Sequence, residues 1–506
     1  MRCIVRFVTS LSFFPLLWGC TQGLRTPKDT AVVGISSHPS TLDPRFATDA
    51  YGMRITSLVF QSLVKVGPQL TVIGDAADSW SLKGTTYTFL LKKGLRFCNG
   101  RPVEAEDLLF TFKEFQKNEN PFRSSLQLLK KISVEKQRDR LEVKLELSEF
   151  SAKLLVSDLP MIKILPAKEI QENPKGFSKK ILGSGPFCFE KKNGNSYFLK
   201  KNNFFSEEQP HIDKLEFKVV KNDFTLYQKM KKGSIDLIQA ELPYSKVKEF
   251  KKSPQKFTVH EYPGLTFSYL LLNFRDPLIP SLEFRKGLDQ AIHRQEIIQY
   301  KLEGYGRPAT SLMTPENPFF LTSLKNSKAS YSQARSHFKK ANALGKKISL
   351  KTSSHPQAIE NAKMIAHQLE KAGLKVDLQS YEWGVYFSDV QKGRFQLATM
   401  RWIGAIDPDL YRIAFHSNEI GDGRNRGAYI NKQLDNLLDK GLRIKNEQLR
   451  IDHYYKVQKI IYEDLATIPL WYDQQIAVVN NRLKNYVPSR NGDFSSLMYV
   501  SKDKNE

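Results

Sequence analysis

The chain has 506 residues, and its content of 41% hydrophobic and 11% aromatic residues is ample for two or three packed lobes. Lysine and arginine exceed aspartate and glutamate by 77 − 53 = 24, a basic balance that makes nucleic acid a partner to consider. The basic residues lie in scattered pairs without a recognisable nucleic-acid motif, so we expect no nucleic acid as a partner. We assign the charge to solvated surfaces, or to attraction to an anionic membrane or ligand.

The chain begins with the pattern of an export signal. Two arginines precede a largely apolar stretch from Phe7 to Trp18, which is too short to cross a membrane. A glycine and Cys20 follow, and a small residue before cysteine is what the lipoprotein-processing peptidase accepts. We therefore predict a signal peptide over residues 1–19, lipidation of Cys20 and a tether over residues 20–29. No later apolar run reaches the roughly 18 residues of a membrane span, so the acyl group is the expected anchor.

The number and spacing of the cysteines and histidines limit the possible disulfides and metal sites. Cleavage would leave Cys98 and Cys188 besides Cys20, so one internal disulfide is possible, and the sequence does not show whether the two meet. The nine histidines are scattered and lack the spacing of a metal site. We expect no metal site and no cofactor.

Strand patterns appear along the first third of the chain. Residues 31–35 have the composition of a buried strand, and residues 58–64 fit either the end of a helix or a strand. Alternation of apolar and polar residues over 87–91 and 141–147 predicts strands with one buried face.

Helical patterns alternate with these strands. Residues 102–117 carry acidic residues in their first turn and apolar residues at helical spacing, which predicts a helix with acids at its positive end. A similar pattern predicts a helix over 282–300. No fixed repeat and no long low-complexity linker separates the segments, so we expect the lobes to pack closely.

The most specific segment runs from Ala76 to Lys113. It contains a tryptophan, a Tyr-Thr-Phe strand, a Lys-Gly-x-x-Phe turn, an Asn-Gly pair and an Ala-Glu-Asp sequence that opens a helix. In this order and spacing the segment resembles the signature of the extracellular solute-binding proteins of peptide ABC importers, the oligopeptide/dipeptide-binding family (bacterial solute-binding protein family 5). Further stretches resemble the family's motifs in chain order: residues 41–44, 183–187, 272–294, 304–315, 372–376, 382–383, 402–408 and 468–471.

The resemblance implies an α/β fold of the two-lobed periplasmic-binding-protein type. It would be a type II fold of the large cluster with an extra inserted domain, and the ligand cleft would lie between the lobes. The boundaries that the resemblance implies are residues 30–66, 178–262 and 474–503 for a discontinuous lobe I, 67–177 for the inserted domain and 263–473 for lobe II.

The implied function is capture of short peptides and their delivery to the permease subunits of an importer, at the periplasmic face of a bacterial membrane. Main-chain amides are the same in every peptide, so strand-like pairing gives affinity while wet side-chain pockets tolerate variety. We find no nucleophile elbow and no Ser/His/Asp set, so we expect no enzyme activity, and we expect a monomer. The alternatives are another solute on the same fold (a metal complex, haem or a cell-wall peptide), a chaperone-like or adhesion lipoprotein, and a secreted hydrolase.

Two tryptophans mark the implied ligand cavity. Trp383 and Trp402 fall where family members place aromatic walls, and a place in the core is the alternative for each. Three residues after the second tryptophan, peptide binders carry an aspartate that neutralises the ligand's amino group, whereas this chain has Ala405. Asp407 is either a substitute for that charge or a structural turn residue.

Other positions of the implied site also depart from the family pattern or remain open. Thr399 stands where some relatives hold an arginine for the peptide carboxylate, and Arg401 is the candidate to replace it. His38 is expected to face the cleft or only solvent, and Tyr269 to contact ligand or lie in the core. These departures argue against ordinary recognition of a peptide amino terminus, and they make a ligand with a blocked amine, a cell-wall peptide or a different solute more plausible.

Overall fold

The computed structural model describes residues 25–67, 70–421 and 423–502. The predicted signal peptide and Cys20 lie outside these residues. Within them, the longest and most apolar helices still fall short of what crossing a membrane requires.

The described residues form nineteen strands and thirteen α-helices. The strands are β1 Thr30–Ile35, β2 Val64–Val66, β3 Val72–Gly74, β4 Ala77–Lys83, β5 Thr86–Leu91, β6 Leu129–Gln137, β7 Arg140–Leu147, β8 Phe187–Asn193, β9 Ser196–Lys201, β10 Lys214–Val219, β11 Leu237–Gln239, β12 Phe257–Leu272, β13 Gly306–Pro308, β14 Lys347–Ser353, β15 Lys375–Tyr381, β16 Leu397–Ile403, β17 Ile468–Asn480, β18 Leu483–Lys484 and β19 Ser501–Lys502. The helices are α1 Ala50–Val59, α2 Ala105–Phe115, α3 Ala167–Glu172, α4 Asp223–Lys231, α5 Tyr244–Lys251, α6 Leu282–Ala291, α7 Arg294–Lys301, α8 Tyr331–Lys340, α9 Pro356–Lys371, α10 Trp383–Gln391, α11 Leu410–Phe415, α12 Lys432–Gly441 and α13 Glu447–Glu463.

One eleven-stranded sheet runs through both lobes in the order β15-β14-β16-β12-β17-β11-β1-β10-β9-β8, with β13 paired to β17. Strand β1 lies between the parallel neighbours β10 and β11, and all six of its residues are buried, as expected for a strand covered on both faces. The two longest strands, β12 and β17, lie at the centre of this order. The first lobe is built on β1 and β8–β11, and the second on β14–β16.

The antiparallel pair β12 and β17 connects the lobes. Residues 257–263 of β12 pair with residues 474–480 of β17, and residues 266–270 pair with residues 468–473. The ladder is irregular between Pro263 and Thr266. The chain passes from one lobe to the other in β12 and again in β17, and because these two strands are paired, the two crossings lie side by side. This arrangement gives the two-lobed α/β fold that the resemblance implied. The exact lobe boundaries stay a prediction.

The apolar cores follow this division. One buried cluster joins the first lobe to a four-stranded sheet ordered β4-β5-β7-β6, and it includes Phe217 of the lobe and Phe89 of that smaller sheet. A second cluster covers the other face of the first lobe around Leu226. The second lobe has one cluster around Leu270 and another around Met400, on opposite faces of its sheet.

Cys98 and Cys188 form a disulfide, which settles the question that the sequence left open. Their Cα atoms lie 5.8 Å apart, and 90 residues separate them in sequence. Cys98 precedes α2 and Cys188 lies in β8, so the bond ties the segment around the four-stranded sheet to the edge strand of the large sheet.

The strands predicted over 31–35, 87–91 and 141–147 are confirmed as β1, β5 and β7. Residues 58–64 contain both alternatives, since α1 ends at Val59 and β2 begins at Val64. The helix predicted over 102–117 is α2, and it begins only at Ala105 because the Asp107 side chain accepts a hydrogen bond from the Glu104 backbone N–H at 2.9 Å and fixes its first turn.

The single helix predicted over 282–300 is wrong. Two helices, α6 and α7, are separated by Ile292, whose backbone is extended, and by His293, whose backbone is not helical. The side-chain oxygen of the buried Gln368 of α9 accepts a hydrogen bond from the His293 N–H at 3.0 Å, and its amide donates to the His293 carbonyl at 3.4 Å. This tertiary contact overrides the local helical pattern.

Candidate ligand-binding cleft

The end of β16 lies at the place where the chain crosses between the lobes. Thr266 of β12 pairs with Ile403, the last residue of β16, and also with Asp473 of β17. Ile403 is 69% exposed although it is large and apolar. Residues around this strand end are therefore available to a solute held between the lobes.

Charged groups from both lobes influence the pKa of one histidine, His355, near this strand end. His355 precedes α9 in the second lobe, and burial together with Arg401 lowers its pKa, whereas Asp223 of the first lobe opposes that shift. Tyr244, at the start of α5, stacks on Tyr305 with ring centroids 5.0 Å apart. These interactions place the end of β16 near the helices that follow β10 and β11.

An aromatic series lines the second lobe. Trp383 begins α10, is 56% exposed and stacks on Phe387 at a centroid distance of 5.3 Å. The guanidinium of Arg426 lies 5.0 Å from the Phe387 ring centroid and 5.6 Å from that of Trp402. The half-buried Trp402 pairs in the sheet with Phe267 of β12. The two predicted tryptophans are therefore joined into one surface through Phe387 and Arg426.

Tyr269 lies beneath this surface rather than on it. It is 3% exposed and stacks on Phe267 with ring centroids 5.2 Å apart and planes 6° apart. Burial raises the pKa of its phenol, so the group is neutral near pH 7. This position corresponds to the core alternative given for Tyr269.

Arg401 lies beside an acidic group at the crossing. Its side chain is 62% exposed, and its Nη1 lies 3.8 Å from Oδ2 of Asp473. The Asp473 carboxylate accepts hydrogen bonds from Trp471 Nε1 at 2.9 Å and from Ser268 Oγ at 3.1 Å. Burial raises the pKa of Asp473, while Arg401 and these hydrogen bonds oppose that rise. A basic and an acidic side chain thus lie side by side where the chain crosses between the lobes.

Thr399 is occupied by hydrogen bonds within the second lobe. Its Oγ1 lies 2.8 Å from Oγ1 of Thr352, and its carbonyl accepts a hydrogen bond from the Tyr386 hydroxyl. Ala405 is fully buried, and its backbone N–H donates to the Leu265 carbonyl at 3.3 Å.

Asp407 has the surroundings of a structural residue. It is buried, and its carboxylate makes a two-oxygen ion pair with Arg450 of α13 at 2.9 and 3.1 Å. Its Oδ1 also accepts from the Asp409 backbone N–H at 2.8 Å. Of the two roles left open for Asp407, the structure favours the turn residue.

His38 lies in the first lobe, on the loop after β1. Its Nδ1 is 3.0 Å from the hydroxyl of Tyr197, against which the imidazole packs edge-on. The structure brings Trp383 and Trp402 together, with Arg401 on the strand beside them, and it joins His38 to this group by no direct contact among the described residues.

Sequence reasoning missed Arg426 and Asp473. Asp473 follows the quoted 468–471 motif by two residues, and its place in a long buried strand was the signal that could have found it. Arg426 had no such signal, since its aromatic partners come from α10 and β16. Across the described ranges, no group of three or more histidine, cysteine or acidic side chains could hold a metal ion.

Comparisons with known proteins agree with this architecture. The family model for bacterial extracellular solute-binding proteins, family 5, matches residues 71–422. The chain is 26% identical over 483 residues to di/tripeptide-binding protein 3 of Pseudomonas aeruginosa, covering 88% of this chain and 90% of that protein. It is 27% identical over 492 residues to the oligopeptide-binding protein AppA of Bacillus subtilis, covering 90% of this chain and 88% of that protein.

Solved structures share the fold over nearly the whole chain. The Bacillus subtilis AppA structure with a nonapeptide matches with a TM-score of 0.78 at 24% identity and covers 94% of this chain and 99% of that chain. NikZ from Campylobacter jejuni with Ni(L-His) matches with a TM-score of 0.80 at 21% identity and covers 94% of this chain and 100% of that chain. The chain belongs to the bacterial extracellular solute-binding proteins of family 5.

Proposed function

We propose that this protein is the substrate-binding component of an ABC importer, which captures short peptides between its lobes and delivers them unaltered to the permease. The observation that carries the proposal is the aromatic surface of Trp383, Phe387 and Trp402 beside the exposed end of β16. Large apolar side chains left exposed beside a cleft are typical of a binding surface. Relatives named as peptide-binding proteins support the choice of ligand.

The proposal includes attachment to the membrane. Residues 1–19 would be removed, and Cys20 would carry the lipid that holds a monomeric body at the periplasmic face. Mass spectrometry of the N-terminal peptide from exported protein tests this part. An acylated cysteine at position 20 is the expected result, and an unmodified or uncleaved N-terminus contradicts it.

Calorimetric titration with peptides of about two to six residues, combined with small-angle scattering, tests capture itself. We expect saturable binding, a smaller radius of gyration on binding as the lobes close, and recovery of intact peptide. Absence of saturable binding across the series would refute peptide capture. Cleavage of the bound peptide would instead indicate a hydrolase.

A second candidate ligand is a solute without a free ammonium group. The observation that favours it is the buried Ala405, which supplies no carboxylate where peptide binders of the family have one. An unpaired ammonium in a closed cleft costs several kcal/mol of desolvation. Titration with an N-acetylated peptide and its free-amine counterpart distinguishes the two, since tighter binding of the acetylated form favours a blocked amine.

A further inference from the structure

The guanidinium of Arg426 occupies an unusual place among the arginines of this protein. It lies between the rings of Phe387 and Trp402, and its Nε is buried without a hydrogen-bond partner. Among the described residues, no carboxylate and no carbonyl accepts a hydrogen bond from this side chain. Burial lowers the pKa of Arg426, and the nearby Arg424 acts in the same direction.

Arg426 is half-buried, and even the more deeply buried arginines of the described chain have their charge compensated. Arg450 pairs with Asp407, and Arg294 pairs with Asp289. Arg285 has no carboxylate partner, but its guanidinium donates to the carbonyls of Ile279, Pro280 and Asp464. Arg426 has neither kind of compensation within the described chain.

The groups that surround Arg426 do not supply a negative charge. The phenols of Tyr269 and Tyr386 are its polar neighbours, and burial raises the pKa of both, so they stay neutral near pH 7. Ring faces attract a guanidinium, but this attraction does not replace a counter-ion or satisfy its N–H groups.

The backbone holds Arg426 in a fixed position. The Asn425 side chain before it donates to the carbonyls of Phe415, His416 and Tyr429. The carbonyl of Gly427 after it accepts from the Phe274 backbone N–H at 2.8 Å. The guanidinium is therefore presented from a loop fixed on both sides, which favours binding because little freedom is lost.

We propose that Arg426, held between Trp402 and Phe387, binds a carboxylate of the solute, so that the protein selects ligands with an anionic end. This inference rests on the proposed function, because it uses the same cleft. A planar carboxylate matches the two parallel N–H groups of a guanidinium, and the aromatic walls exclude water from the pair. With Ala405 in place of an acidic residue, the second lobe then recognises the negative end of its ligand rather than the positive one.

The test compares three probe sets against the exported protein: tripeptides with free carboxylates, the same tripeptides as C-terminal amides, and the small carboxylates succinate and citrate. Variants Arg426→Gln and Arg426→Lys are titrated beside Arg424→Gln, which removes an exposed arginine from the same loop. We expect Arg426→Gln to weaken carboxylate binding by about 30-fold or more. Arg426→Lys keeps the charge but lacks the planar pair of N–H groups, so its carboxylate affinity should lie between those of the parent and Arg426→Gln. Arg424→Gln should bind like the parent.

Each outcome decides between the inference and the proposed function. Equal affinity of the parent protein for acids and amides overturns the role of Arg426 and leaves peptide capture standing. Binding of succinate or citrate but of no peptide supports the Arg426 site and overturns peptide capture. No binding in any set overturns both. The comparison of acid with amide needs only the parent protein, so it holds even where Arg426→Gln fails to fold.

Discussion

Single residues decide whether the aromatic surface is a binding wall. Trp402 shares the face of its sheet with the buried cluster around Met400, yet it keeps part of its indole accessible and touches Arg426. Trp80, in the four-stranded sheet, is also half-buried but packs on Phe89 with ring centroids 6.4 Å apart. The two indoles have similar burial and different surroundings, so they form a matched pair for mutation.

We predict that Trp402→Ala weakens ligand binding by about 1–3 kcal/mol, because an anchoring indole contributes most of its energy through contact with the solute. Trp80→Ala should leave affinity unchanged. Titration of both variants with one peptide measures the difference, and thermal unfolding separates loss of binding from loss of stability. Parent-like affinity in Trp402→Ala would exclude this indole from the site.

The site residues that could be predicted from the sequence are those that stand in short motifs of neighbouring residues. Trp383, Trp402 and Arg401 were recognised from short motifs, and the structure joins the two tryptophans through Phe387 and Arg426. The role of Arg426 could not be predicted, because it depends on contacts with two aromatic rings from distant segments of the chain. The spacing of residues in the sequence does not report such contacts. The role of Asp407 could not be chosen from sequence, since its partner Arg450 lies 43 residues away.

At the scale of elements, Asp407 and Arg450 join the loop after β16 to helix α13. Both side chains are nearly inaccessible, and the guanidinium also lies 5.2 Å from the ring centroid of Phe319. Removal of one partner would leave the other as a buried, uncompensated charge.

We predict that Asp407→Ala lowers the free energy of unfolding by about 3–5 kcal/mol, because it leaves Arg450 unpaired. The control is Glu149→Ala, which breaks an ion pair with Arg443 whose side chains are largely exposed. This variant should lower the free energy of unfolding by less than about 1 kcal/mol. Urea unfolding measures both. A stable Asp407→Ala protein with reduced ligand affinity would instead assign this carboxylate to the ligand.

Elements were predicted well where the local pattern and the tertiary structure agree. Strands β5 and β7 alternate because one of their faces is buried in the core that they share with the first lobe. The sequence pattern across α6 and α7 is helical throughout, but the helix is interrupted at His293, where Gln368, 75 residues away, accepts the hydrogen bond of the backbone N–H. Local periodicity cannot report a contact of that range.

At the scale of the whole molecule, the segment that follows β7 contacts the second lobe through buried acids. Lys153 Nζ lies 3.7 Å from Asp158 of its own segment and 3.8 Å from Asp409 of the second lobe. Burial raises the pKa of Asp158 to about 7, with Asp409 and Asp407 adding to the rise and Lys153 and Ser125 opposing it. Burial also raises the pKa of Asp409, against the effect of Arg412.

We predict that the stability gained from this contact falls as the pH rises towards 7 and levels off above it. The ordinary pKa of Asp158 is 3.8, so between these values the folded protein holds a proton that the unfolded chain has lost, and stability falls with increasing pH. The expected loss is about 1 kcal/mol between pH 6 and 7 and about 0.4 kcal/mol between pH 7 and 8, where the folded protein also releases the proton. Urea unfolding at pH 6, 7 and 8 measures it. Asp158→Asn should remove this pH dependence of stability, whereas substitution of the exposed Asp139 in Asp139→Asn should leave it unchanged. The same pH dependence in the parent protein and both variants would contradict its assignment to Asp158.

We expect the close contact of β12 with β17 at the crossing to fix where one lobe would turn against the other. A Cβ added at Gly264 would lie 2.6 Å from the Asp473 carbonyl oxygen and 2.8 Å from Cγ of Gln475, so the two backbones already touch. We expect rotation about this point to displace nearby atoms least and the rims of the cleft most. Arg401 and Asp473 would then keep nearly the same separation while the lobes turn.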